Sequence, residues 1–287
     1  MKSFQDFLNE EKFILHSGAT GTEIMKLGGE TPGAISSLTH PDMVESIQRG
    51  YVDLGVKIIL SNTFGMNRLY AQNHVKDYYD WRLINQKGVE LSQKAAGGKA
   101  YVLGNIGPTG ELMEPMGRLT FEEAVDCFRE QALLLADSGV DGFSVQTFYD
   151  VQELKAAITA IRDVSFLPVL ASLVIDIHGA TFMGHSLEQA YDELMPLGIS
   201  SLGHNCGSID CKSLAEIMKP LAAKFSIPLS ACPNAGIPRT EKGIPCYDMK
   251  PEEFAEGIRC LKESGVKILG GCCGAGPEHI AAVAKVL

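Results

Sequence analysis

Eight short runs rich in Val, Ile and Leu recur along the chain, each followed by a longer segment of helical period, at residues 12–18, 57–64, 100–108, 142–148, 167–175, 200–206, 227–234 and 266–274. Strands this continuously apolar are buried on both faces, and strands that alternate with helices form a parallel sheet covered by its own crossovers. Eight such units predict an α/β fold of one particular kind, a (β/α)8 TIM barrel forming a single domain over residues 1–287. An open, doubly wound sheet is the competitor. It usually has fewer strands and an early phosphate-binding loop, and Gly18-Ala19-Thr20-Gly21-Thr22 fits neither glycine-rich spacing.

The intervening segments carry helical stripes, such as Val125, Phe128, Ala132 and Leu135, or Phe254, Ile258 and Leu261. Thr120 with Glu123, and Ser186 with Gln189, have the capping-box spacing that starts a helix. In a barrel of this kind the chemistry sits at the C-terminal ends of the strands. The polar residues predicted there are Ser17, Asn62, Thr63, Asn105, Gln146, Asp176, Asn205, Cys206, Asn234, Cys272 and Cys273.

The formal charge is −10 and no basic run occurs, which argues against nucleic-acid binding. No segment approaches the ~20 apolar residues of a membrane span, and the first ten residues lack an apolar core beside a cleavage site. The expectation is a cytoplasmic protein with no membrane partner. Eight cysteines in such a setting are reduced, which favours metal or catalytic roles. Cys127 and Cys260 fall within predicted helices and read as small apolar residues. Cys206, Cys272 and Cys273 fall at strand ends. Adjacent cysteines pair with each other only under strain, whereas three thiolates with one open position describe a catalytic zinc site.

These motifs resemble the zinc-dependent homocysteine S-methyltransferases. The resemblance runs from about residue 12 to the end and is carried by Gly18-Ala19-Thr20-Gly21-Thr22-Glu23, Asn62-Thr63-Phe64-Gly65-Met66-Asn67-Arg68, Gly107-Pro108-Thr109-Gly110, Asn205-Cys206-Gly207, Pro233-Asn234-Ala235-Gly236-Ile237-Pro238 and Gly270-Gly271-Cys272-Cys273-Gly274. Glu111-Leu112-Met113-Glu114-Pro115 is most similar to the homocysteine-binding module of cobalamin-dependent methionine synthase. The resemblance implies a (β/α)8 barrel and Zn2+ held by Cys206, Cys272 and Cys273. It also implies a small thiol bound among Ser17, Gly18, Ala19, Asn62, Thr63, Gln146, Asn205 and Asn234. The thiol is activated as its thiolate, because only the thiolate is a good nucleophile and zinc deprotonates a coordinated thiol. The methyl donor implied is methylcobalamin on a separate corrinoid protein. Small donors of the S-methylmethionine or betaine type are the alternative, with Phe64, Phe148 and Tyr149 the nearest aromatic candidates for a cage. A zinc-binding module that serves another acceptor, or has no turnover of its own, is the third reading. Oligomeric state is left open.

Two positions depart from the family. The carboxylate that typically ends the first strand is replaced by Ser17, and the glutamate that typically follows the fourth apolar run by Gln146. Both carboxylates serve the ammonium of homocysteine. Exchanging two charged hydrogen bonds for neutral ones costs ~2–4 kcal/mol, or roughly 30- to 1,000-fold in affinity. The expectation is a thiol without an ammonium near its sulfur, unless Asp176 or Asp150 takes that role. His204 is expected to support the metal site by hydrogen bonding, with direct ligation as the alternative. Arg68 and Arg118 are loop cations; either can receive a carboxylate, and a surface ion pair is the simpler expectation.

Overall fold

The computed structural model describes residues 1–76, 79–241 and 244–287. The strands are β1 (Ile14–Leu15), β2 (Ile58–Leu60), β3 (Tyr101–Ile106), β4 (Gly142–Phe148), β5 (Val169–Leu173), β6 (Ser201–Cys206), β7 (Leu229–Pro233), β8 (Arg239–Glu241), β9 (Ile244–Cys246) and β10 (Ile268–Leu269). The helices are α1 (Phe4–Glu10), α2 (Thr20–Lys26), α3 (Ser36–Thr39), α4 (Pro41–Asp53), α5 (Arg68–His74), α6 (Trp81–Ala96), α7 (Phe121–Asp137), α8 (Val151–Val164), α9 (Leu187–Leu194), α10 (Cys211–Lys224), α11 (Pro251–Glu263) and α12 (Pro277–Val286).

Eight strands form one parallel sheet in the order β1-β10-β7-β6-β5-β4-β3-β2. A parallel bridge between His16 and Ile58 closes it, with Lys57 N donating to Leu15 O (2.9 Å) and Ser17 N to Ile58 O (3.0 Å). The chain is a (β/α)8 barrel, and each of the eight predicted runs contains one barrel strand. The β8–β9 hairpin is an addition to the predicted pattern, lying between β7 and α11. Both predicted capping boxes form, at Thr120–Glu123 and Ser186–Gln189.

Strand alternation sorts the side chains into two sets. Ile14, Ile58, Tyr101, Leu103, Leu170 and Ile268 pack together inside the barrel, while Leu15, Ile59, Val102, Phe143, Val145, Val169, Ala171, Leu202, Leu229 and Leu269 face the helices. Helix α1 plugs the N-terminal end. Phe4 and Phe7 pack on Tyr101 at ring separations of 5.1 and 4.8 Å, and the Tyr101 hydroxyl donates to Lys2 O. The opposite end stays open. No helix among the described residues is long and apolar enough to cross a membrane.

Candidate metal centre

Cys206 ends β6 with φ of 61°, and Thr147 near the end of β4 has φ of 68°. Left-handed backbone at non-glycine residues costs ~1–3 kcal/mol and persists only where the surroundings impose it. Two side chains of β6 supply that constraint. Asn205 Oδ1 accepts from Thr147 N (2.8 Å), and its Nδ2 donates to Thr147 Oγ1 (2.7 Å) and approaches Cys272 Sγ (3.7 Å). His204 is buried; its Nδ1 accepts from Ile175 N (3.2 Å), so Nε2 carries the proton and donates to Cys206 O (3.0 Å). Burial brings its pKa down to about 4, so the ring is neutral at pH 7. His204 therefore buttresses the Cys206 turn through the backbone.

Cys272 and Cys273 follow β10. Cys272 N donates to Pro233 O (2.8 Å), Cys273 O accepts from Ala235 N (3.0 Å), and Gly274 N donates to Thr22 Oγ1 (3.2 Å). Asn234 Nδ2 donates to Gly207 O (2.6 Å), tying the loop after β7 to the one after β6. The outcome is a cluster in which the three Sγ atoms lie within 4.8 Å of one another, with Cys206 and Cys273 4.0 Å apart. Zinc–thiolate bonds of ~2.3 Å in a tetrahedron put sulfurs about 3.8 Å apart, so the donor set fits zinc. Among the described residues no fourth His, Cys, Asp or Glu joins this cluster. Hydrogen bonds from Cys272 and Cys273 hold the Cys206 pKa well below the usual thiol range, and the same interactions push Cys272 and Cys273 up.

The sulfurs form one wall of a cavity of about 400 Å3 at the open end of the barrel. Gly18, Ala19, Asn62 and Gln146 line it, as do Phe64, Asn105 and Thr147. Ser17, Thr63, Asn205 and Asn234 do not. Ser17 shares the outward phase of Leu15, so the wall at β1 is formed by His16, a residue with no part in the sequence reading. Thr63 is fully buried and donates to Asn105 O (2.8 Å). Asn205 acts on the site through Thr147 and Cys272.

The other sequence candidates are engaged elsewhere. Asp150 caps α8, and Asp176 accepts from the backbone of His178 and Ala180; neither lines the cavity. Arg68 pairs with Glu130 at 2.7 Å, and Arg118 is exposed. Phe148 is fully buried against Phe128, which removes it from any aromatic cage. Tyr247 is a closer aromatic neighbour of the sulfurs. Burial first, then the adjacent thiols, push the Tyr247 and Tyr149 hydroxyls upward.

A homocysteine S-methyltransferase family profile matches residues 14–287. The chain belongs to this family. It is similar to the methionine synthases of Mycobacterium tuberculosis and Mycobacterium leprae, with 30% identity over 298 residues in each case. The alignments cover 96% of this chain but 25% and 24% of those proteins, so the chain spans about a quarter of their length. Its fold is similar to that of the homocysteine methyltransferase MmuM from Escherichia coli. For the metallated form the TM-score is 0.81 at 19% identity over 98% of both chains, and for the apo form it is 0.75.

Proposed function

We propose that the protein transfers a methyl group to a small thiol held at a zinc site formed by Cys206, Cys272 and Cys273, with residues 1–287 acting as one barrel domain. The observation that carries this reading is the convergence of three thiols within 4.8 Å on the wall of an open-ended cavity. Zinc held by three thiolates lowers the pKa of a thiol entering the remaining position while leaving its sulfur nucleophilic. The chain's own residues do the rest. Asn205 and His204 fix the sulfurs before substrate arrives, which converts binding energy into orientation. Gly18, Ala19, Asn62 and Gln146 line the same cavity as the sulfurs and would border the substrate's tail.

The donor we favour is a methylated corrinoid held outside residues 1–287. Its support is the similarity to methionine synthases, together with a rim of exposed apolar residues on loops after the barrel strands. Leu112, Met116, Ile177, Phe182 and Ile237 are 59–83% exposed there, which suits a donor carried by a partner protein or domain. A small sulfonium or ammonium donor is the second reading, favoured by Tyr149 and Tyr247 beside the sulfurs. Cytoplasmic residence is part of the proposal.

Calorimetric titration of zinc-loaded protein with L-homocysteine and simple thiols, with proton release followed, tests the acceptor half. Methylcobalamin, S-methylmethionine and betaine then test the donor half. Binding of a thiol with a proton released, followed by methyl transfer, is the expected result. A zinc-loaded protein that binds no thiol would refute it and leave a metal-binding module acting on another acceptor.

A further inference from the structure

His16 is 5% exposed and stands in the cavity wall. Its Nδ1 lies 3.0 Å from the Ser17 carbonyl oxygen, which can only accept, so Nδ1 carries the proton and Nε2 a free lone pair. Both ring nitrogens of His204 are engaged, whereas Nε2 of His16 has no partner among the described residues. Burial lowers the His16 pKa, which keeps the ring neutral.

Neighbouring wall groups are spent in the same one-sided way. Gln146 Nε2 donates to Asn105 Oδ1 (2.9 Å), leaving Gln146 Oε1 without a partner among the described residues. Asn62 Nδ2 donates to Gly33 O and Ser37 Oγ, each at 3.0 Å, leaving its Oδ1 without a partner among the described residues. Among the described residues no Asp, Glu, Lys or Arg lines this cavity. A zwitterionic tail entering it would lose water from an ammonium and a carboxylate and meet no counter-charge on the walls. An uncharged tail with a hydrogen-bond donor would meet acceptors already in place.

We propose that His16 is a specificity-determining residue whose Nε2 accepts a hydrogen bond from the substrate's tail. The substrate class is then a small thiol ending in an uncharged donor, such as a hydroxyl or a primary amide, with Gln146 Oε1 as the second acceptor. This assignment rests on the thiol-methyltransferase reading above.

The test uses cobalt(II)-substituted protein, in which a thiol reaching the metal produces a thiolate-to-cobalt charge-transfer band. The probes are 3-mercaptopropan-1-ol, 1-propanethiol and L-homocysteine. Wild-type protein binds mercaptopropanol about tenfold or more tightly than L-homocysteine. His16→Leu weakens mercaptopropanol roughly 3- to 10-fold, the value of one neutral hydrogen bond, and leaves propanethiol within about twofold. His16→Gln, which keeps an acceptor, recovers part of the loss. L-homocysteine binding as tightly as mercaptopropanol, or His16→Leu weakening mercaptopropanol and propanethiol alike, overturns the assignment while the metal–thiol reading stands. Absence of the band with every thiol removes both.

Discussion

Replacing Asn205 by alanine tests how the centre is held. The side chain makes two hydrogen bonds to Thr147, at 2.8 and 2.7 Å, and reaches Cys272 Sγ at 3.7 Å. Its loss leaves the Thr147 amide without its partner, a penalty of ~1–3 kcal/mol, at a residue already in left-handed backbone. With the small void added, metal-free Asn205→Ala is expected to be less stable by ~2–4 kcal/mol in urea unfolding. Groups that orient metal ligands are worth about 10- to 100-fold in metal affinity, so zinc competition against a chromogenic chelator should show a loss of that size. Asn205→Asp keeps an acceptor for Thr147 N but buries a carboxylate beside the sulfurs at a position only 1% exposed, so its stability near neutral pH should fall at least as far as that of Asn205→Ala. Zinc affinity within about twofold of wild type in Asn205→Ala, with stability unchanged, would refute the claim that Asn205 holds the cluster.

Other consequences are open to measurement. Cys206→Ser, Cys272→Ser and Cys273→Ser should each lose stoichiometric zinc in metal analysis, because a hydroxyl replaces a soft thiolate ligand. Glu153 is buried beneath the loop after β3, accepting from Thr109 N (2.7 Å) and Oγ1 (2.6 Å), and burial raises its pKa to about 7. Since the folded pKa lies above the ordinary 4.5, its contribution is complete below pH 4.5 and lost as pH rises through about 7. That amounts to roughly 3 kcal/mol, and Glu153→Gln should flatten this part of the melting temperature against pH. Gly203→Ala would put a Cβ 1.9 Å from Ser230 O on the neighbouring strand, so a loss of more than ~2 kcal/mol or failure to fold is expected. Gly50→Ala, with open space around it in α4, should be neutral or stabilising by ~0.5–1 kcal/mol.

The barrel was legible because its signal is cooperative: eight apolar runs and their helical spacers agree with one another, and ±2–4 residues at each end do not change the topology. The observed strands are shorter, as with Ile14–Leu15 inside 12–18, because the flanking residues turn into loops. The three cysteines were legible from residue type and position. The walls were less so. Whether Ile14 or Leu15 faces inward decides whether His16 or Ser17 reaches the cavity, and a run apolar on both faces carries no phase. Period two counted from Ile14 finds His16, but only packing against Phe4, Tyr101 and Ile268 reveals that Ile14 is the inner residue. At β6 alternation misleads in the opposite direction. Cys206 has the outward phase of Leu202 and His204 and joins the other sulfurs through its left-handed turn, which sequence period cannot show.

The strand order has a consequence for when the centre can exist. One sulfur follows β6 while the other two follow β10, and β10 is inserted between β7 and β1. A ring lacking β10 has a gap between its first and seventh staves and a single cysteine at its mouth. Under the zinc reading, the cation would be a clasp from β6 to β10 across β7. Such a cation would be gripped only once β6, β7 and β10 are in place, and the free energy of its binding would go to keeping those three strands together. On the same reading, protection of the amides in β6, β7 and β10 would rise and fall with metal occupancy, so that loss of the metal would be felt first as a loosening of that arc of the wall.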